Sequence, residues 1–283
     1  MSVAFVLSGG ASLGAVQVGM LRALLERGIR PDVLVATSVG ALNGAFLASR
    51  GPTVETVDEL AALWCGLRRG QVFPVEPVTG LLGFLGARGN LVPGGALRRL
   101  VARNLAHDRL DDLPIPLNVV ACDALSGEEV LLSAGPLVDA VLASAAIPGV
   151  LPAVDWEGRM LIDGGVVDNT PLSHAVALGA DTIYVLPARG PCLLTDAPRG
   201  ALAMLVHAMG LMVAQRFTAE VTSLAGLADV VVLPAPCPID IHPMDFRHAR
   251  VLMTRAAAES RASLRDRCDP ALPIGAGRTA ICA

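Results

Sequence analysis

The stretch Val33-Leu34-Val35-Ala36-Thr37-Ser38-Val39-Gly40-Ala41-Leu42-Asn43-Gly44 decides how the rest of the chain is read. An apolar run with β-branched members stops at a serine flanked by small residues, and a helix-like segment follows. That order predicts a strand, a sharp turn and a helix, with one hydroxyl raised at the turn. The pattern is x-x-S-x-G, with Ala36 where G-x-S-x-G has its first glycine. Small flanks suit such an elbow because strand and helix pack closely there. The same residues have a second reading, in which Thr37-Ser38 simply caps the helix.

Upstream of the elbow, Val3 to Leu7 is a short apolar run bounded by Ser8-Gly9-Gly10, which reads as a buried strand. Ser12 to Arg27 then places Val16, Met20, Leu21, Leu24 and Leu25 on one helical face, and Gly28 ends it. Strand, helix and elbow strand form a β-α-β unit, and such units build parallel sheets. Downstream, helices are predicted over 39–49, 53–67, 96–105, 136–146, 171–178, 201–224 and 246–267. Strands are predicted over 116–122, 160–162, 182–186 and 230–233, with 128–132 as an antiparallel neighbour of the first. The segment 70–95, rich in proline and glycine, reads as a short helix between two turns, with a lid or binding loop as the other reading. The tail 268–283 reads as irregular. There is no internal repeat and no linker, so 1–283 is expected to be one domain. Alternating strands and helices predict a three-layer α/β/α sandwich with a mainly parallel central sheet.

Composition narrows the chemistry. Of 283 residues, 53% are apolar and 17% charged, which excludes disorder. The net charge of −4 gives no electrostatic case for nucleic acid. All 22 basic residues are arginine, so Schiff-base lysine, Walker A and Ser-Lys chemistries are excluded. The six cysteines form no C-x-x-C and no zinc spacing with histidine, so reduced thiols in a cytoplasmic setting are expected. No positive region precedes the first strand, which gives no sign of a signal peptide. Ala201 to Gln215 is nearly uncharged but too short to span a bilayer, and it reads as a buried helix.

Four features carry chemistry. The first is Ser8-Gly9-Gly10-Ala11-Ser12-Leu13-Gly14. Glycines after a strand let backbone N–H groups converge, and a following helix adds positive potential, so the segment is an anion cradle. It suits a pyrophosphate or the oxyanion of acyl transfer; a plain tight turn is the bland reading. The second is Ser38. A dinucleotide fold would want an acid at the end of that strand, and Ala36-Thr37-Ser38 stands there instead. The third is Asp163-Gly164-Gly165, a carboxylate at a strand end that nothing obstructs. A base hydrogen-bonded to Ser38 would take its proton during attack, although Asp-Gly turns are also common in their own right. The fourth is Ala143 to Pro152, small and apolar, whose natural role is to pack and shape a pocket wall.

In this order the four features resemble the patatin-like phospholipases, a family of serine lipid acyl hydrolases. Leu7 to Leu24 is similar to the family's glycine-rich segment and first helix, and Ala36 to Gly44 to its nucleophile elbow. Ser144 to Pro152 resembles the segment leading to the acidic motif. Ile162 to Pro171 looks like the D-G-[GA] motif and its continuation, and His242 to Phe246 like the turn before the last helix. The resemblance implies a Ser-Asp dyad, with Ser38 as nucleophile and Asp163 as general base and then acid. It implies an oxyanion hole built from the N–H groups of Gly9, Gly10 and Ala11, with Gly14, Gly40, Gly164 and Gly165 as supporting motif residues. It also implies an α/β/α fold, no metal or organic cofactor, and a lipid or fatty-acyl ester substrate. A cytoplasmic protein in peripheral contact with a membrane surface is the corresponding expectation. Two positions depart from the family pattern: Ala36, and Leu13 where many members carry arginine or lysine. Two rivals stay open. One is a Ser-His-Asp esterase using a histidine after Asp163; the other is a catalytically weak or inactive binding protein that kept the fold.

Overall fold

Strand β1 (Val3–Leu7) is apolar on both faces because both faces are covered. Phe5 and Leu7 point into one core with Leu34, Ala36, Val119, Tyr184 and Leu186. Ala4 and Val6 point into a second, smaller core with Val33, Val35, Ile183 and Val185. Two-sided burial is why these strands read as unbroken apolar runs. The computed structural model describes residues 1–283 except 75, 88, 191–199, 238–240, 242, 243 and 269–283.

The remaining strands are β2 (Val33–Thr37), β3 (Leu117–Asp123), β4 (Glu129–Leu132), β5 (Val154–Trp156), β6 (Arg159–Asp163), β7 (Thr182–Leu186) and β8 (Asp229–Val232). The helices are α1 (Ala15–Leu25), α2 (Val39–Arg50), α3 (Val54–Gly66), α4 (Arg69–Val72), α5 (Pro77–Phe84), α6 (Gly95–Asn104), α7 (Leu137–Ser144), α8 (Leu172–Ala177), α9 (Ala201–Ser223) and α10 (Ala249–Cys268). The hydrogen-bonded order is β5-β6-β3-β2-β1-β7-β8, with β4 also paired to β3. The run β3-β2-β1-β7-β8 is parallel, whereas β4 and β6 are antiparallel to β3. Helices α1, α2, α3, α6, α7 and α10 cover the larger core; α8 and the end of α9 cover the smaller one. The architecture is the expected α/β sandwich.

One detail of register brings the site together. β2 runs along one edge of β3 and stops with Thr37 opposite Val120. β4 occupies the other edge, opposite Val119 to Cys122. The next residue of β3, Ala121, is opposite Asp163 of β6. A strand residue pairs once on each side, so β2 and β6 share an edge and meet head-on. Ser38 and Asp163 are the residues at that junction.

Three expectations need correcting. The hairpin β5–β6 adds a strand that the sequence did not announce. β5 has only three residues, and its turn is Glu157-Gly158, with both residues at positive φ, rather than the Asn-Gly or Asp-Gly signal. Among its described side chains, the helix at 201–215 is largely exposed rather than buried. Met204, Leu205, Met209, Leu211 and Met212 are each 45–72% exposed, whereas Phe217, Val221 and Leu224 pack on the smaller core. A 23-residue helix is about 35 Å long, and five-residue strands span about 17 Å; the described contacts of α9 with the smaller core begin at Phe217. The cysteines are not uniformly thiols: Cys65 and Cys122 are free, but Cys237 is disulfide-bonded.

The segment 70–95 does hold short helices, α4 and α5, as read. Cys268 closes α10; the rest of the tail, like His242, lies outside the described residues. Among the described residues no helix is long and apolar enough to cross a membrane.

Candidate active site

Ser38 is the N-cap of α2, yet its side chain makes no cap hydrogen bond. It sits at φ 55° and ψ −122°, a conformation that L-residues rarely adopt. Three backbone contacts hold it there. Its N–H donates to Ser144 Oγ at 2.8 Å, and its carbonyl accepts from Ala41 N–H at 2.9 Å and Leu42 N–H at 3.3 Å. The helix can begin this abruptly because Gly40 crosses the end of β1. A Cβ on Gly40 would stand 2.2 Å from the Leu7 carbonyl oxygen, inside any allowed contact. Ala36, the departure from the elbow pattern, is fully buried in the larger core. A Cβ on Gly44 would lie 3.6 Å from Ala36 Cβ, an ordinary contact, so the alanine methyl fits against α2 without strain.

Released from capping, Ser38 Oγ donates to Asp163 Oδ2 at 2.7 Å. Asp163 is buried, and its Oδ1 accepts from Gly165 N–H at 2.8 Å in the turn that opens at Gly164. Burial pushes its carboxyl up to about 6, against the Ser38 and Gly165 hydrogen bonds that favour the charged form. Backbone pairing fixes the residue in place, because its own N–H donates to the Ala146 carbonyl at 3.0 Å.

The glycine-rich segment lies against this pair. A Cβ on Gly9 would stand 3.2 Å from Ser38 Cβ and 2.3 Å from Asn169 Oδ1. One expected role changes: Gly9 N–H donates to the Asn169 carbonyl at 3.0 Å and is already engaged. Gly9 contributes space. Gly10 and Ala11 lead into a 3-10 turn (Ala11–Gly14), and the first N–H groups of such a turn have no partner within it. Ala11 also holds positive φ, at 50°. Gly14 ends the turn beneath Val39, and Leu13 is buried in the larger core, so packing orders this loop.

Several residues of the site escaped the sequence reading. Ser144 also donates to the Val120 carbonyl at 2.6 Å, tying α7 to the β2–β6 junction; its only sign was a lone hydroxyl in an apolar run. Gln17 donates to the Ser8 and Leu186 carbonyls, Asn43 donates to Gly14 and Gln17, and Trp64 Nε1 donates to Asn43. This buried chain locks the glycine-rich segment to α2.

Behind the loop lies a polar cluster of Glu129, Asp168 and His174, whose candidate ligand atoms lie within 4.8 Å of one another. Its charges are met by the His174–Glu129 pair and by Arg216 at 3.4 Å from Glu129. Asp168 Oδ1 accepts from Thr170 N–H, while Oδ2 is buried without a partner. Burial, with the charges of Glu220 and Glu129 nearby, pushes the Asp168 carboxyl up to about 7.

On the opposite side, Ser38 opens into an apolar cavity lined by Val39, Leu42, Phe46, Trp64 and Phe246, among others. The histidine of a Ser-His-Asp arrangement has no place between Ser38 and Asp163, which touch directly. His174 and His248 are paired elsewhere, with Glu129 and Asp245.

Fold and site define a class: an α/β/α protein in which a strained serine elbow faces a buried carboxylate across one strand junction. The sequence profile of the patatin-like phospholipases matches residues 5–176, and the chain belongs to that family. It is 32% identical over 189 residues to an uncharacterized NTE family protein of Mycobacterium bovis, covering 66% of this chain and 49% of that protein. It is 28% identical over 193 residues to lysophospholipase NTE1 of Mycosarcoma maydis, covering 66% of this chain and 10% of that one. It is 29% identical over 191 residues to mouse patatin-like phospholipase domain-containing protein 6, covering 65% and 13%. The chain thus spans half or less of the length of these relatives. The solved structure of VipD from Legionella pneumophila shares the fold, with a TM-score of 0.50 at 15% identity over 94% of this chain and 67% of that one.

Proposed function

We propose that this protein is a serine acyl hydrolase that cleaves fatty-acyl ester bonds of lipids through Ser38 and Asp163. The observation that carries the reading is the 2.7 Å hydrogen bond from Ser38 Oγ to Asp163 Oδ2, at a serine that opens into an apolar cavity. Ser38 Oγ attacks the ester carbonyl carbon as Asp163 takes its proton. The tetrahedral oxyanion forms beside Gly10 and Ala11, whose N–H groups and 3-10 turn favour negative charge. Collapse expels the alcohol, protonated by Asp163. Water activated by the same carboxylate then releases the fatty acid and restores Ser38.

Direct contact between serine and carboxylate favours this dyad over a Ser-His-Asp arrangement, in which a histidine stands between the two. Contact with a lipid surface falls, on this reading, to the exposed apolar half of α9; activity on short esters should then rise above the micelle-forming concentration.

The test is intact mass after exposure to a fluorophosphonate. Wild-type protein should gain one adduct, and Ser38→Ala should gain none. An unlabelled, folded wild-type protein would falsify the hydrolase reading and favour a binding protein.

A further inference from the structure

We infer that Glu129, Asp168 and His174 form a site for one divalent transition-metal ion, zinc, behind the loop that follows Asp163. The three residues come from different parts of the chain: Glu129 opens β4, His174 lies on α8, and Asp168 sits in the loop between β6 and α8. Their candidate ligand atoms lie within 4.8 Å of one another. Zinc bonds of about 2.0–2.2 Å to nitrogen and oxygen place two ligand atoms of one ion about 3.3–4.4 Å apart. Small side-chain rotations therefore bring the trio onto a single ion. His174 Nε2 and Glu129 Oε1 are already in hydrogen-bond contact, and the ion takes the place of the proton they share.

Two buried oxygens call for a cation there. Asp168 is 1% exposed, and its Oδ2 has no hydrogen-bond partner. Glu220 Oε1 accepts from Ser173 N–H at 2.8 Å, but its Oε2 is buried without a partner too. A buried acceptor left unpaired is costly, and a bound ion is one of the few things that satisfies it. Charge agrees. Glu129, Asp168 and Glu220 face one guanidinium, that of Arg216. With His174 neutral, as a ligand must be, the excess is two negative charges, which one divalent cation balances. Asp168, Thr170, Arg216 and Glu220 border a surface pocket between the loop and α9, which gives the ion a way in and places Glu220 to hold a metal-bound water. The imidazole selects the metal: calcium and magnesium take oxygen ligands, whereas a mixed nitrogen and oxygen set suits zinc. Such an ion clasps β4, α8 and the loop together. It carries no step of the reaction, and the site does not depend on the hydrolase reading.

The test is zinc binding by the full chain after chelator treatment, followed by calorimetric titration with zinc chloride and by thermal unfolding. Wild-type protein should take up one zinc per chain. Its Tm should rise by about 5–10 °C when free zinc stands a hundredfold above Kd. Asp168→Asn, His174→Gln and Glu129→Gln should each weaken binding at least about a hundredfold, the upper end of what changes outside the ligand sphere cost. In chelator, Asp168→Asn should be folded and no less stable than wild type, yet its Tm should not respond to zinc, which separates a lost ligand from a damaged fold. His248→Gln and Cys65→Ser, at surface positions that could bind zinc adventitiously, should leave the affinity unchanged. Calcium at equal concentration should not displace the zinc.

Stoichiometric binding that all three ligand variants lose, and both surface variants keep, establishes the site. No uptake of zinc by folded wild-type protein overturns it, as does uptake that survives in Asp168→Asn and His174→Gln or disappears in Cys65→Ser. Displacement of zinc by calcium overturns the assignment of the metal. Each of these results stands whether or not Ser38 reacts with a fluorophosphonate.

Discussion

Asp163 and Asp168 stand five residues apart at the two ends of one loop, and burial pushes both carboxyls upward, to about 6 and about 7. Only one of them meets a hydroxyl. Asp163 ends β6 where β2 stops, so Ser38 reaches its Oδ2. Asp168 faces the other way, toward Glu129, Glu220 and His174, and its Oδ2 has no donor. Its link to the elbow is through the backbone: its carbonyl accepts from Thr37 Oγ1 at 2.9 Å. Desolvation raises a carboxyl wherever it is buried. What distinguishes the two is that Asp163 alone has a hydroxyl proton within reach.

The largest expected effect breaks the pair at Asp163. Asp163→Asn keeps the shape, removes the base, and should lower kcat/KM by roughly 10²–10⁴-fold. It should also stabilise the fold at neutral pH. The folded pKa of about 6 lies above the ordinary 3.8, so the folded state holds the proton more tightly. The stability from that proton is full below about pH 4 and lost as pH rises through about 6. The amide, which never ionises, should regain about 2–3 kcal/mol at pH 8 by denaturant unfolding.

A smaller effect comes from pH alone. Asp163 must be ionised to take the serine proton, so kcat/KM should fall about tenfold per unit below an apparent pKa near 6. A profile with no inflection between pH 5 and 7 would assign the base to another group.

Next in size is Ser144→Ala, which leaves the Ser38 N–H buried without an acceptor. The expected cost is about 1–3 kcal/mol of stability, with kcat reduced more than KM is raised, since the elbow rather than the pocket is disturbed. Equal losses in Ser144→Ala and a remote core variant of matched stability would remove the positioning role.

The smallest effect on activity belongs to Asp168→Asn, expected within about threefold of wild type. Its signature is in stability. The stability from a carboxyl pushed up to about 7 is lost progressively as pH rises from about 4 through about 7, so the amide should raise Tm at pH 8 by about 2–4 °C per kcal/mol gained, with no gain at pH 4. If Asp168→Asn costs as much activity as Asp163→Asn, the contrast between the two ends of the loop is lost.

The residues of the site were legible in sequence to different depths. Ser38 and Asp163 announced themselves through local chemistry: a small-flanked serine after an apolar strand, and a carboxylate before two glycines. Gly40 was legible for the same reason. Ser144 was not, because a hydroxyl in a run of alanines says nothing of the N–H it will meet across the sheet. Gly9 was legible as part of an anion cradle, yet the Asn169 carbonyl that takes its N–H lies 160 residues further on. The exposure of α9 was hidden too. Its apolar composition argued for burial, whereas among the described residues Met204, Leu205, Met209, Leu211 and Met212 are exposed and the contacts with the smaller core begin at Phe217.

By itself, then, the sequence determined the periodic elements, the parallel βαβ core and the two chemical groups, since each rests on contacts among near neighbours in the chain. Tertiary structure alone decided that the serine and the carboxylate are one site. Their meeting depends on β2 and β6 sharing an edge of β3, and strand register is set by packing across the whole sheet rather than by any local pattern.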